Sequence, residues 1–297
     1  MNKKHLSFVL ILILIVSGIL GAIIYYSSQN QGGNSINSSS NITSNTTKPS
    51  NTVKLIFIHH STGENWLSDE NGRLGMILRD NNYFVSDTNY GWGSDAIGDK
   101  TDIGQWWLWF RGPDSSNYLN SLYSENGQNC QYSRLTNNPG GENEIIMFKS
   151  CFPNSALQGN PSDPIPPISS NPLKGEAAGS EINTVANAKG IYVDLLEYFK
   201  TRPDKLFIVI TAPPLSDPSN AGNARSFNQW LVNDWLKDYP YKNVVVFDYY
   251  SVLTNGGNTL AYPSSIGDDH PSQEGNLKAT REFINFLNQA YDQWKSG

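Results

Sequence analysis

Residues 53–297 predict an α/β domain of three layers, a central, mostly parallel five-stranded sheet with helices on both faces. Three observations predict it. Five runs rich in Val, Ile, Phe and Leu are apolar throughout rather than alternating, as strands buried on both faces are. Helical patterns separate most of these runs. No internal repeat points to a solenoid or propeller instead.

The elements follow in order. VKLIFIH (53–59) reads as the first strand. A helix is expected over 64–80, with Trp66, Leu67, Leu74, Met76 and Ile77 as its apolar set. NYFVSDTN (82–89), EIIMFKSC (144–151), KLFIVITA (205–212) and KNVVVFDYY (242–250) read as the remaining strands. Helical patterns cover roughly 115–125, 181–201 and 222–238. The last helix, about 272–294, repeats Phe283, Ile284, Phe286, Leu287 and Tyr291 at helical spacing, with Ser272 placed to cap it.

The N-terminus is of another kind. Leu6 to Tyr26 carries no charge and follows Lys3 and Lys4. As a helix it would rise about 31 Å, enough to cross a bilayer core. Its exit, YYSSQN, lacks a small-x-small cleavage pattern, which favours a retained transmembrane signal anchor over a cleaved signal peptide. The lysines put residues 1–5 in the cytoplasm and the rest of the chain outside the cell membrane. Residues 27–52 are nearly all Ser, Asn, Thr, Gly and Gln, a stalk with no apolar face, holding N-x-S/T sequons at Asn37, Asn41 and Asn45. The formal charge of −6 argues against a nucleic-acid partner. Cys130 and Cys151 either pair outside the cell or stand as two buried thiols.

In parallel sheets, ligands bind beyond the carboxyl ends of the strands. The first strand is followed there by HHSTGENW, the second by YGWGSDAIGDKTD, the third by FPNS, and the fifth eventually by GDDHPS. If Ser61 is a nucleophile it needs a base. Of the four histidines, His5 lies at the anchor, His60 is adjacent to Ser61 and His59 sits within the strand. His270 remains, with Asp268 and Asp269 beside it to orient the ring and Asp248 in reserve. An oxyanion would need the Ser61 N–H, a glycine N–H from Gly91 or Gly98, and the Asn154 amide. A metal centre is not expected, because His59 and His60 are poor chelating neighbours and the cysteines lack metal-ligand spacing. Trp92, Trp106, Trp107 and Trp109 are either core or a platform for sugar rings, and the Pro-rich stretch 153–172 is a candidate pocket wall.

The order Ser61, Gly91 or Gly98, Asn154, Asp268-x-His270 resembles the blocks of the SGNH (GDSL-like) hydrolase family, over essentially 53–297. The first block keeps only its serine. The last has Gly267 where the family has its acid, so that Asp268 stands two residues before the histidine rather than three. The resemblance implies a flavodoxin-like sheet and Ser-His-Asp hydrolysis of a carboxylic ester, an acetyl group on a glycan being one candidate. It implies Ser61 as nucleophile, His270 as base, Asp268 as acid, and no cofactor. A catalytically silent surface domain that binds glycan or an envelope component is the alternative.

Overall fold

Five strands, β1 (Val53–Ile58), β2 (Tyr83–Thr88), β3 (Ile145–Lys149), β4 (Leu206–Ile210) and β5 (Val244–Phe247), lie in the order β2-β1-β3-β4-β5, every neighbouring pair parallel. The computed structural model describes residues 46–179 and 181–297. The expected anchor (6–26), the residues before it, and the stalk through residue 45 with its sequons lie outside the described residues. Among the described residues, no helix is long and apolar enough to cross a membrane.

Strand order doubles back at β1 and β3, which makes the crevice beyond their carboxyl ends the natural ligand site. The pleat divides each strand between two cores. Leu55, Phe57, Ile145, Met147, Leu206 and Ile208 pack under helices α1 (Ser61–Leu67), α2 (Leu74–Asp80) and, later in the chain, α8 (Gln273–Lys295). Ile56, Ile58, Ile146, Phe148, Phe207 and Val209 face the other way. They meet α3 (Trp106–Arg111), α4 (Ser115–Ser124), α5 (Val185–Phe199) and α6 (Ala221–Asn233). Both faces are covered, so strands apolar on both sides cost nothing in exposed surface.

The structure corrects several expectations. The single helix over 64–80 is two, α1 and α2, separated by a turn through Ser68–Arg73. Gly72 passes so close to α1 that a Cβ there would stand 2.3 Å from the Trp66 carbonyl oxygen, and Arg73 takes a left-handed φ of 59°. The break lets Trp66 turn fully inward, where its indole N–H donates to Thr280 on α8 at 2.9 Å. The fifth strand stops at Phe247. Asp248 then caps a short helix, α7 (Tyr249–Thr254), by accepting the Ser251 N–H at 3.0 Å.

The tryptophan cluster is largely core. Trp106 and Trp109 are fully buried, their indoles bonded to Ser150 and to the Lys100 carbonyl. The Pro-rich stretch packs along α5, through Lys189 to the Pro161 carbonyl and Asn171 to the Asn187 carbonyl. The domain's contacts also begin before Val53, because Pro49 is buried and its carbonyl accepts from Asn82 at 2.7 Å. Both cysteines are free thiols, at two different places.

Candidate active site

β1 ends at Ile58, and within three residues the chain turns into α1, so Ser61 stands at the carboxyl edge of the sheet. The His60 carbonyl starts the helix by accepting the N–H groups of Gly63 (2.6 Å) and Glu64 (3.2 Å). Gly63 is obligatory: a Cβ there would lie 2.4 Å from that of His59.

The partner arrives from the far end of the chain. Residues 262–272 fold back on themselves, with the Ser264 N–H donating to the His270 carbonyl (2.8 Å) and the Ser272 N–H to that of Tyr262 (2.7 Å). Gly267 makes the tip with a φ of 79°. This tight return brings Asp268 under its own neighbour. Asp268 Oδ1 accepts both the backbone N–H of His270 (2.9 Å) and its ring Nδ1–H (2.7 Å). The two-residue spacing that departs from the family pattern is thus the spacing this hairpin needs. On the other side of the ring, His270 Nε2 lies 3.2 Å from Ser61 Oγ. Phe152 meets the imidazole edge-on at 5.0 Å. Hydrogen bonds from the Ser264 hydroxyl first, then from the backbone and ring of His270, hold the Asp268 carboxyl well below the usual carboxylate range.

The two reserve acids are engaged elsewhere. Asp269 accepts the Ser216 N–H at 2.7 Å, and Asp248 caps α7.

The three oxyanion assignments do not meet the geometry. The Gly91 N–H donates to Asp99 Oδ1 (2.7 Å) and the Gly98 N–H to the Trp92 carbonyl (2.8 Å). Asn154 is buried. Its amide donates to Asp102 Oδ1 (2.6 Å) and the Cys151 carbonyl (3.2 Å), and its oxygen accepts the Ile103 N–H (2.7 Å). The two glycines find their acceptors within their own loop, and Asn154 ties its segment to the loop after β2. The Ser61 N–H differs in that the Tyr90 hydroxyl stands near it. Tyr90 is 62% exposed, with its ring stacked on His60 at 3.9 Å.

His60 fills the position next to the serine and ties it to the neighbouring loop. Its Nε2–H donates to the Gly98 carbonyl at 2.6 Å, and Nδ1 accepts the Thr101 hydroxyl at 3.1 Å. Burial holds its pKa down, which fits a neutral ring bonded in this way.

Sequence reasoning missed what lies behind the serine. Lys149, the last residue of β3, is buried; its ammonium donates to the Thr62 hydroxyl and to the Ser150 carbonyl (3.3 Å). No carboxylate pairs with it among the described residues. Cys151 Sγ stands 3.7 Å from Ser61 Oγ and 3.5 Å from Thr62 Oγ1. Burial works to raise the Cys151 thiol, but Lys149 and the two hydroxyls outweigh it and the net direction is down. Burial pushes Lys149 down as well. The available signal was a lysine closing an otherwise apolar strand.

No family model matches the chain, and no curated protein is similar to it. Three solved structures are similar at low level. One is a carbohydrate esterase whose active site displays divergent catalytic and non-catalytic binding functions (18% identity, TM-score 0.38, 83% of this chain, 68% of that one). The second is a family two carbohydrate esterase from Cellvibrio japonicus (11%, 0.40, 83% and 63%). The third is a family two carbohydrate esterase from Clostridium thermocellum in complex with cellohexaose (12%, 0.38, 83% and 66%). The chain spans about two thirds of the length of these proteins.

Proposed function

We propose that the domain is a serine hydrolase acting on carboxylic esters, with Ser61 as nucleophile, His270 as general base and Asp268 as the orienting acid. One observation carries this reading: a single imidazole bridges a serine hydroxyl and a carboxylate, at 3.2 and 2.7 Å, across 209 residues of sequence. In the first half-reaction His270 Nε2 takes the Ser61 proton as Oγ attacks the ester carbonyl, and returns it to the departing alcohol. In the second, water attacks the acyl-enzyme by the same route. Asp268 keeps Nδ1–H facing away from the serine and stabilises the charged ring. The Ser61 N–H is the donor best placed for the oxyanion once substrate displaces the Tyr90 hydroxyl.

Esters of carbohydrates are the first substrates to try. Catalytic silence is the competing reading, and the observation on its side is that Gly91, Gly98 and Asn154 all direct their donors elsewhere. A fluorophosphonate probe decides between them. Labelling that maps to Ser61, together with release of acetate from an acetylated polysaccharide, is expected. A folded protein that never labels and binds glycan without turnover would establish the silent domain. We infer further that residues 6–26 tether the domain outside the cell, so protease added to intact cells should release it. Cleavage only after lysis would reverse that topology.

A further inference from the structure

On the same sheet face as the core under α1, a second histidine meets a second aspartate. His59 and Asp87 are fully buried, with Nε2 and Oδ2 3.2 Å apart. Cys130 Sγ lies 3.9 Å from the same Nε2, and the three donor atoms all fall within 4.8 Å of one another.

The ring's hydrogen bonds are the telling feature. His59 Nδ1 faces the His60 carbonyl at 3.2 Å, and Nε2 faces the Asp87 carboxylate. A neutral imidazole has one N–H, and here both nitrogens look at acceptors. Placing the N–H on Nδ1, toward the carbonyl, turns the Nε2 lone pair toward a carboxylate oxygen and a thiol. The thiol proton can serve Nε2 or Oδ2, and its loss leaves three electron-rich atoms around one point. A metal-bound histidine shows this arrangement, one nitrogen ligating and the other donating to a backbone carbonyl. The carboxylate is fixed in the way a ligand is: Asp87 Oδ1 accepts the Asn129 N–H and the Tyr132 hydroxyl, each at 2.8 Å, leaving Oδ2 for the cluster.

We propose that His59 Nε2, Asp87 Oδ2 and Cys130 Sγ form a binding site for a borderline-soft divalent cation of the zinc class. With metal–ligand bonds of about 2.0–2.3 Å, tetrahedral ligands stand about 3.3–3.6 Å apart. The two distances to Nε2 are already near this, and only the carboxylate-to-sulfur edge has to close. The mixed N, O, S set suits zinc rather than calcium or magnesium, which take oxygen. Cys130 is only partly buried, giving an entry route and a fourth position for water. Binding replaces the S–H bond by a sulfur–metal bond, and the proton leaves to solvent. The three ligands come from the end of β1, from β2 and from a loop 43 residues after Asp87, a spacing no linear motif records. The proposal is independent of the esterase reading.

The test uses the full chain, purified without chelator and equilibrated with zinc. About one zinc per chain is expected to remain after dialysis, with a higher melting temperature than chelator-treated protein. Cys130→Ser should weaken binding at least tenfold. Cobalt in place of zinc should give a thiolate-to-metal charge-transfer band that Cys130→Ser abolishes. That variant alters one partly buried side chain and is expected to fold, as circular dichroism will show. Zinc retention equal in wild type and Cys130→Ser, or cobalt binding without the band, would overturn the site and leave His59 and Asp87 as a plain hydrogen-bonded pair.

Discussion

The domain holds two His–Asp pairs, one bonded to Ser61 and one whose histidine precedes it in sequence, and they differ in what surrounds them rather than in what they are. His59–Asp87 is sealed, with both side chains 0% exposed, while His270 and Asp268 are 31% and 35% exposed. The far nitrogen of His59 faces a main-chain carbonyl, which cannot give up a proton. That of His270 faces a serine hydroxyl, which can. A histidine beside a serine in sequence is therefore no base unless its free nitrogen points at the oxygen, and the histidine that does so lies 209 residues away. Burial lets a pair hold structure or a ligand; a rim position lets it exchange protons with substrate and water.

The largest effects should fall on the rim. Ser61→Ala is expected to lower kcat for an aryl ester by on the order of a millionfold, and Asp268→Asn by about ten-thousandfold. Both should melt within a few degrees of wild type, because neither side chain is part of the core. Asp269→Asn should behave nearly as wild type in turnover. If instead Asp269→Asn is the damaging change, the hairpin argument for Asp268 fails. Asp268, held below the usual carboxylate range, should stay ionised at the pH of an esterase assay.

The buried pair should respond in the opposite currency. Asp87→Ala strips the Asn129 N–H and the Tyr132 hydroxyl of their common acceptor and removes the carboxylate that faces His59. Breaking such a buried pair costs about 3–5 kcal/mol. The melting temperature should fall by on the order of 10 °C, while turnover of the remaining folded protein falls far less than in Asp268→Asn. A large loss of kcat at unchanged stability would erase the distinction between the two pairs.

Much of this arrangement was legible before any coordinates. Continuous apolar strands reveal a parallel sheet, and chain order alone brought Ser61, Asp268 and His270 to one rim. The buried pair was not legible: residues 55, 57 and 59 share a face with 83, 85 and 87 only through the pairing of Phe57 with Asp87, a register that the folded sheet sets. The oxyanion donors were not legible. Whether the Gly98 N–H is free depends on where the Trp92 carbonyl falls, and that is a property of the folded loop. The break after Trp66 was written in Asn71-Gly72, but apolar spacing across it imitates one longer helix.

Asn154 separates a structural role from a catalytic one on a smaller scale. Asn154→Ala takes one donor from Asp102 Oδ1 and leaves the Ile103 N–H without its acceptor, which should cost about 1–3 kcal/mol of stability. Turnover of the folded variant should drop less than tenfold. A hundredfold loss of kcat with stability intact would mean that Asn154 turns to the oxyanion during reaction, restoring it to the rim.

The smallest effect, and the one that defines the rim most closely, belongs to Tyr90. Its ring rests on His60 and its hydroxyl stands near Ser61, close to where a substrate carbonyl must sit. Burial of the hydroxyl end, and then the neighbouring Cys151, push the phenol up, so it stays protonated at neutral pH. Two roles follow from one location. As an occupant, the hydroxyl competes with substrate, and Tyr90→Phe removes one hydrogen bond from the free enzyme only. That is worth about 1 kcal/mol and should lower KM roughly fivefold with kcat unchanged. As a donor, the O–H would swing onto the oxyanion, and the same variant would lower kcat about a hundredfold at constant KM. The occupant role is expected, because the Tyr90 hydroxyl stands beside Ser61 without substrate. Steady-state kinetics of Tyr90→Phe on a small aryl ester reads the two apart, and a kcat loss without a KM change would make Tyr90 part of the catalytic rim.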